Sequence, residues 1–144
     1  MSLIHKCANG KLALISDKNN IFHDIEESRI SPSIVLITAW IEGVVQSESW
    51  AFLVERMLRS GCTYFVCAGT YAENLHDLID EEIYSLNWPH PIITTYHTDE
   101  APEDIANFLV NAIDISNKED NGVAAVLDVA ILGDKLLKKS LLNM

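Results

Sequence analysis

A chain of 144 residues carrying a net charge of −11, from 21 acidic and 10 basic residues, repels phosphate backbones and anionic lipid surfaces, and no Lys/Arg cluster offsets this. With 49% hydrophobic and 22% charged residues the composition excludes intrinsic disorder. The length suits a single domain over residues 1–144, large enough to hide roughly two-thirds of the unfolded surface.

The first residues, Met1 to Lys6, lack the apolar core of a signal peptide, and no apolar run reaches the ~18–20 residues that span a bilayer. Asn9-Gly10 separates Leu3–Ala8 from Lys11–Ser16 and predicts a hairpin closed by a type I′ turn. Asp17–Pro32 is polar and reads as a connection holding a turn of helix near His23–Ser28. Ile34–Ala39 is a continuous β-branched run, the pattern of a strand buried on both faces. After Ser47, apolar residues at Trp50, Leu53, Val54, Met57 and Leu58 mark one face of a helix that Gly61 ends.

Thr63–Ala68 is the next strand, and Thr70 with Glu73 forms a T-x-x-E capping box for a helix burying Leu75, Leu78, Ile79, Ile83 and Leu86. Pro89 and Pro91 break the chain before a third strand, Ile92–Tyr96. Asp99–Asp114 is a helix with Pro102 in its first turn and Ile105, Phe108 and Leu109 on its apolar face. Asn121-Gly122 is a turn, Val123–Leu132 a fourth buried run, and Asp134–Leu142 a terminal helix. Alternating strands and helices predict right-handed βαβ units. The expected fold is therefore a three-layer α/β sandwich: a mostly parallel sheet of about four to five strands, helices on both faces, and an N-terminal hairpin. Strand order is not readable from this pattern.

Ligands of open α/β sheets bind at the carboxyl ends of the strands. Trp40, Glu42, Cys67, Thr70, His97 and Asp99 follow or end the predicted strands. A Cys67 nucleophile with His97 as base and Asp99 as orienting group is one expectation. A helix beginning at Thr70 would lower the thiol pKa and offer N–H donors to an oxyanion. Against it, cysteine is among the most buried residue types and Cys67 lies in an apolar strand, so a core thiol is the commoner outcome. His97-Thr98-Asp99, with His76, Asp77 or Asp80, contains metal-ligand chemistry, but no HExxH or paired CxxC accompanies it, so no metal is expected. The alternative is that Asp99 caps its helix and that His76, Asp77 and Asp80 lie on a solvated face. Ala68-Gly69-Thr70 is a lone-glycine anion site, far weaker than a P-loop. Asp128 either ends its strand or is a buried carboxylate requiring a partner.

Three blocks, Gly61–Cys67, Leu75–Asp80 and Thr95–Glu100, resemble a bacterial family of small α/β domains of unknown function. That resemblance implies the fold and a bacterial source, carries no activity, and draws attention to His76, Asp77, His97 and Asp99. Cys7, Cys62 and Cys67, an odd number without framework spacing, read as reduced thiols in a cytoplasmic protein. The functional expectation is a non-catalytic protein-binding module, immunity-type or regulatory, with a basic partner matching its charge and no cofactor, nucleic acid or membrane. The competing expectation is a small enzyme using Cys67/His97 or a His/Asp metal site.

Overall fold

The computed structural model describes residues 3–17, 19–40, 50–113, 124–128 and 135–144. In chain order the elements are β1 (Leu3–Lys6), β2 (Leu12–Asp17), α1 (Ile21–Ser28), β3 (Ile34–Thr38), α2 (Trp50–Arg59), β4 (Tyr64–Ala68), α3 (Ala72–Ser85), β5 (Ile93–His97), α4 (Pro102–Asn107), β6 (Ala124–Asp128) and α5 (Lys135–Leu142). Glu42, Ser47 and the Asn121-Gly122 turn lie outside the described residues.

The strands form one sheet in the order β1-β2-β6-β3-β4-β5. β2, β6, β3, β4 and β5 run parallel, and β1 pairs antiparallel with β2. The hairpin is thus part of the sheet, which has six strands among the described residues rather than about four or five. β3, β4 and β5 pair in parallel as the strand–helix alternation predicts. β6, the last strand in the chain, is inserted between β2 and β3.

Alternation along the strands divides the apolar residues into two cores. Val35, Ile37, Phe65 and Cys67 pack with Ile21 of α1, Trp50, Leu53 and Met57 of α2, and Leu75 and Ile79 of α3. Ile34, Leu36, Val66 and Ala68 pack instead with Ile105, Ala106 and Leu109 of the α4 segment and Leu137 and Leu141 of α5. Each face of a five-residue strand such as β3 is therefore covered, which is why its sequence is apolar throughout.

Local chemistry explains where elements end. Gly61, at φ 103°, closes α2: its N–H donates to the Leu58 carbonyl and that of Cys62 to the Met57 carbonyl, a Schellman pair. The hairpin loop is not type I′, because only Gly10 has a positive φ. Gly10 N–H donates to the Cys7 carbonyl and Cys7 N–H to the Lys11 carbonyl, so three residues bridge the strands. The helix expected over Asp99–Asp114 begins later, at Pro102, and its last described turn widens to π over Phe108–Ala112. The hairpin supplies that turn's missing donors: Lys11 Nζ donates to the Leu109 and Ile113 carbonyls at 3.2 and 3.0 Å, and Asn9 Nδ2 to the Val110 carbonyl at 2.9 Å.

The capping box does not form. Thr70 is exposed, α3 starts at Ala72, and Tyr71 stands at its N-cap without a side-chain hydrogen bond. Backbone already serves this end, since Tyr71 N–H donates to the Ala39 carbonyl and Ala72 N–H to the Gly69 carbonyl. Asp99 caps nothing either: it adopts φ 59°, and Ala101 is the N-cap of α4. Asp128 is the last residue of β6, in register with Asp17.

Candidate functional site

At the carboxyl edge of the sheet the register aligns Thr38, Ala68 and His97 across β3, β4 and β5. Gly69 follows Ala68 at φ 108°, where a Cβ would stand 2.8 Å from the Ala39 carbonyl oxygen and 3.1 Å from the Trp40 ring. Only glycine fits this approach. Trp40 is half-buried over it. The N–H groups of Tyr71 and Ala72 are consumed by backbone carbonyls, so the Ala68-Gly69-Thr70 turn does not present them to an anion.

The expected proximity of Cys67 and His97 is overturned by parity. Cys67 is in register with Tyr96, not His97, and successive residues of a strand point to opposite faces. The Cys67 thiol is fully buried in the core under α2 and α3. His97 faces the other side, its ring 4.4 Å from that of Phe108. Burial pushes the Cys67 thiol well above its ordinary range, with the Asp80 charge adding to the effect, and burial pushes Cys62 up to about 12. Cys7 is also raised by burial, partly countered by Lys11. All three thiols are free and buried.

His97 is held at both ring nitrogens: Nδ1 lies 2.6 Å from Glu100 Oε2 and Nε2 3.3 Å from Thr95 Oγ1. Its carboxylate partner is thus Glu100 rather than Asp99, which is exposed. Glu100 was visible in the same run, but the left-handed turn at Asp99 that brings it back to the ring was not.

A second polar cluster joins α3 to β5. His76 Nδ1 lies 3.0 Å from Asp77 Oδ1, while Nε2 lies 3.1 Å from Thr94 Oγ1 and 3.4 Å from Asp80 Oδ2. The Thr94 hydroxyl donates to Asp80 Oδ1 at 2.6 Å. The Tyr96 ring meets the His76 ring edge-on at 4.9 Å. The Glu73 carboxylate, by its charge and by its hydrogen bond with the Tyr96 hydroxyl, raises that phenol above its usual range, with Asp77 contributing. Thr94 and Tyr96 are the members that sequence reasoning missed. Their placement depends on β5 lying beside α3, which no local pattern encodes. Among the described residues no group of three or more His, Cys, Asp or Glu is arranged to hold a metal.

The cluster lies on a sheet edge. Among the described residues β5 pairs with β4 alone, and no residue of β5 is fully buried. Ile93 is 54% and Tyr96 43% exposed. Residues 60–117, which contain β4, α3, β5 and α4, hold ten of the 21 acidic residues and none of the 10 basic ones. Charge elsewhere nearly balances, so this segment carries almost the whole imbalance of −11. Pro102, Glu103, Asn107, Leu136, Lys139 and Met144 help line a groove of about 550 Å³ between α4 and α5.

These features define an α/β domain with buried thiols and an open, acidic sheet edge. The chain matches, over residues 18–135, the family described as Domain of unknown function (DUF7684), and it belongs to that family. The matched span includes the three blocks Gly61–Cys67, Leu75–Asp80 and Thr95–Glu100. No curated protein and no solved structure was found to match it. Among the described residues no helix is long and apolar enough to cross a membrane.

Proposed function

We propose that this chain is a non-catalytic protein-binding module, immunity-type or regulatory, in the cytoplasm of a bacterium. In this reading residues 1–144 form one three-layer α/β sandwich, and the partner is a protein rather than a nucleic acid or a membrane. The observation that carries the reading is the edge of β5 on which the described residues place no strand. A strand without a neighbour on one side presents unpaired backbone groups to which another chain can bind. Two further features support it. The polar residues near this edge are engaged with one another, as His76 is with Asp77, Asp80 and Thr94. The cysteine that enzyme chemistry would need is sealed in the core, away from His97.

Affinity purification of the tagged protein from its host, with quantitative mass spectrometry, tests this reading. The wild-type chain and a Cys67→Ala, His97→Gln double variant are compared. The expected result is one stoichiometric protein partner recovered equally by both. Turnover of a small molecule that the double variant abolishes, with no partner recovered, would replace the module by the small enzyme.

A further inference from the structure

We infer that the free edge of β5 accepts an extended, basic segment of a partner protein as a seventh strand, with Lys or Arg at alternating positions. The inference rests on the binding-module reading and names the surface and partner chemistry within it.

The backbone supplies the first argument. Ile93 N–H donates to the Thr63 carbonyl at 3.0 Å, and the His97 carbonyl accepts from Gly69 N–H at 3.1 Å. In a parallel ladder alternate residues bond to the same neighbour. Ile93, Thr95 and His97 therefore turn their backbone groups toward β4. Thr94 and Tyr96 turn theirs outward, to the side where the described residues place no strand. Natural sheets protect such edges with Lys or Pro in the strand or with a bulge. β1, at the opposite edge, ends in Lys6, whereas β5 reads Ile-Thr-Thr-Tyr-His, with neither Lys nor Pro.

Charge identifies the occupant. α3, which flanks β5, has Glu73, Asp77, Asp80, Glu81 and Glu82 and no Lys or Arg. Asp77 and Asp80 side chains are 73% and 49% exposed. A second copy of this chain would bring the same acidic surface against itself, which disfavours a dimer through this edge. A basic strand is favoured on the same ground. Side chains of an added strand alternate between faces, so every second residue would overlie the α3 side. Cations at that spacing face the carboxylates, while backbone bonds to Thr94 and Tyr96 fix the register. This is strand addition with charge selecting the sequence.

The test uses the full chain and three synthetic peptides of equal length. One alternates Lys with Val. The second is the same peptide N-methylated at every second residue, on the edge that would face β5. The third alternates Glu with Val. The Lys/Val peptide is expected to bind saturably, and more weakly as salt rises. The amides of Thr94 and Tyr96 should become protected from hydrogen exchange in the complex, with that of Thr95 unchanged. The N-methylated peptide should bind at least about tenfold more weakly, since backbone hydrogen bonds are lost with charge conserved. The Glu/Val peptide should not bind. Equal affinity of the N-methylated peptide, or protection elsewhere than β5, would overturn strand addition and leave only diffuse charge attraction. No binding of the Lys/Val peptide at millimolar concentration would overturn the inference outright. The binding-module reading would survive that result if the host partner still bound the purified chain, because its contact would then lie elsewhere, as in the groove between α4 and α5.

Discussion

β3 and β5 are both five-residue parallel strands, separated by β4 alone, and they are held in different ways. Every residue of β3 is buried, with β6 on one side and β4 on the other. No residue of β5 is fully buried; among the described residues it has one neighbouring strand and a polar clasp to α3 through Thr94, His76 and Asp80. The contrast separates the part of the sheet that supplies stability from the part left open. Burying a Leu or Ile side chain contributes about 1.5–3 kcal/mol, whereas exposed hydrogen bonds and ion pairs contribute about 1 or less. An edge that contributes little to folding is available for binding.

The largest expected effect tests that division directly. Leu36→Ala in β3, at a position with no exposed surface, should cost about 2–5 kcal/mol by denaturant titration. Ile93→Ala in β5, half exposed, should cost less than about 1 kcal/mol. Equal losses would break the comparison.

A second effect concerns the buried thiols beneath α2 and α3. Cys62 and Cys67 have raised pKa values in the fold, Cys62 to about 12. An unfolded thiol ionises near 8.5, so above that pH the unfolded chain releases protons that the native chain retains. Stability from these groups is therefore complete below about pH 8.5 and is lost progressively as pH rises from there toward the native pKa. The expected slope is up to about 1.4 kcal/mol per pH unit for each thiol. Cys62→Ala with Cys67→Ala should flatten it. Native alkylation at pH 8 should be far slower than alkylation of the unfolded chain, and fast labelling of Cys67 would place it at a surface.

Much of β3, β4 and their helices was legible because burial on both faces writes itself as unbroken apolar runs and 3.6-residue stripes. The status of β5 was not. Ile92–Tyr96 is recognisable as a strand, but being an edge is a property of strand order, set by where β6 inserts. The Cys67–His97 pairing failed for a similar reason, because which residues share a face depends on register, and register places Cys67 opposite Tyr96. The absence of Lys and Arg from residues 60–117 was present in the letters. It acquired meaning only when α3, which holds five of those acidic residues, proved to flank β5.

Smaller effects refine the account of the edge. Thr94→Val removes the hydroxyl shared by Asp80 and His76 and should cost about 0.5–1 kcal/mol, because Asp80 is half exposed and His76 keeps Asp77 and Asp80 as partners. Circular dichroism melts suffice to read it. A loss above about 2 kcal/mol would make the clasp a main support of β5. Thr70→Ala should cost less than about 0.5 kcal/mol, since the backbone already caps α3; a loss near 1 kcal/mol would restore the capping box.

The insertion of β6 between β2 and β3 also governs how the chain is made. A ribosome delivers β1 to β5 first, and through that interval the facing edges of β2 and β3 have no partner. Their closing strand begins at Ala124, more than a hundred residues after β2 begins. Contacts so distant in sequence form slowly, and open apolar edges are where nascent chains misassociate. Lys11 likewise waits for acceptors at Leu109 and Ile113, 98 and 102 residues further along the chain. Synthesis that stopped short of Ala124 would therefore remove one strand from the polypeptide and strip three from the sheet, because β1 and β2 join it only through β6.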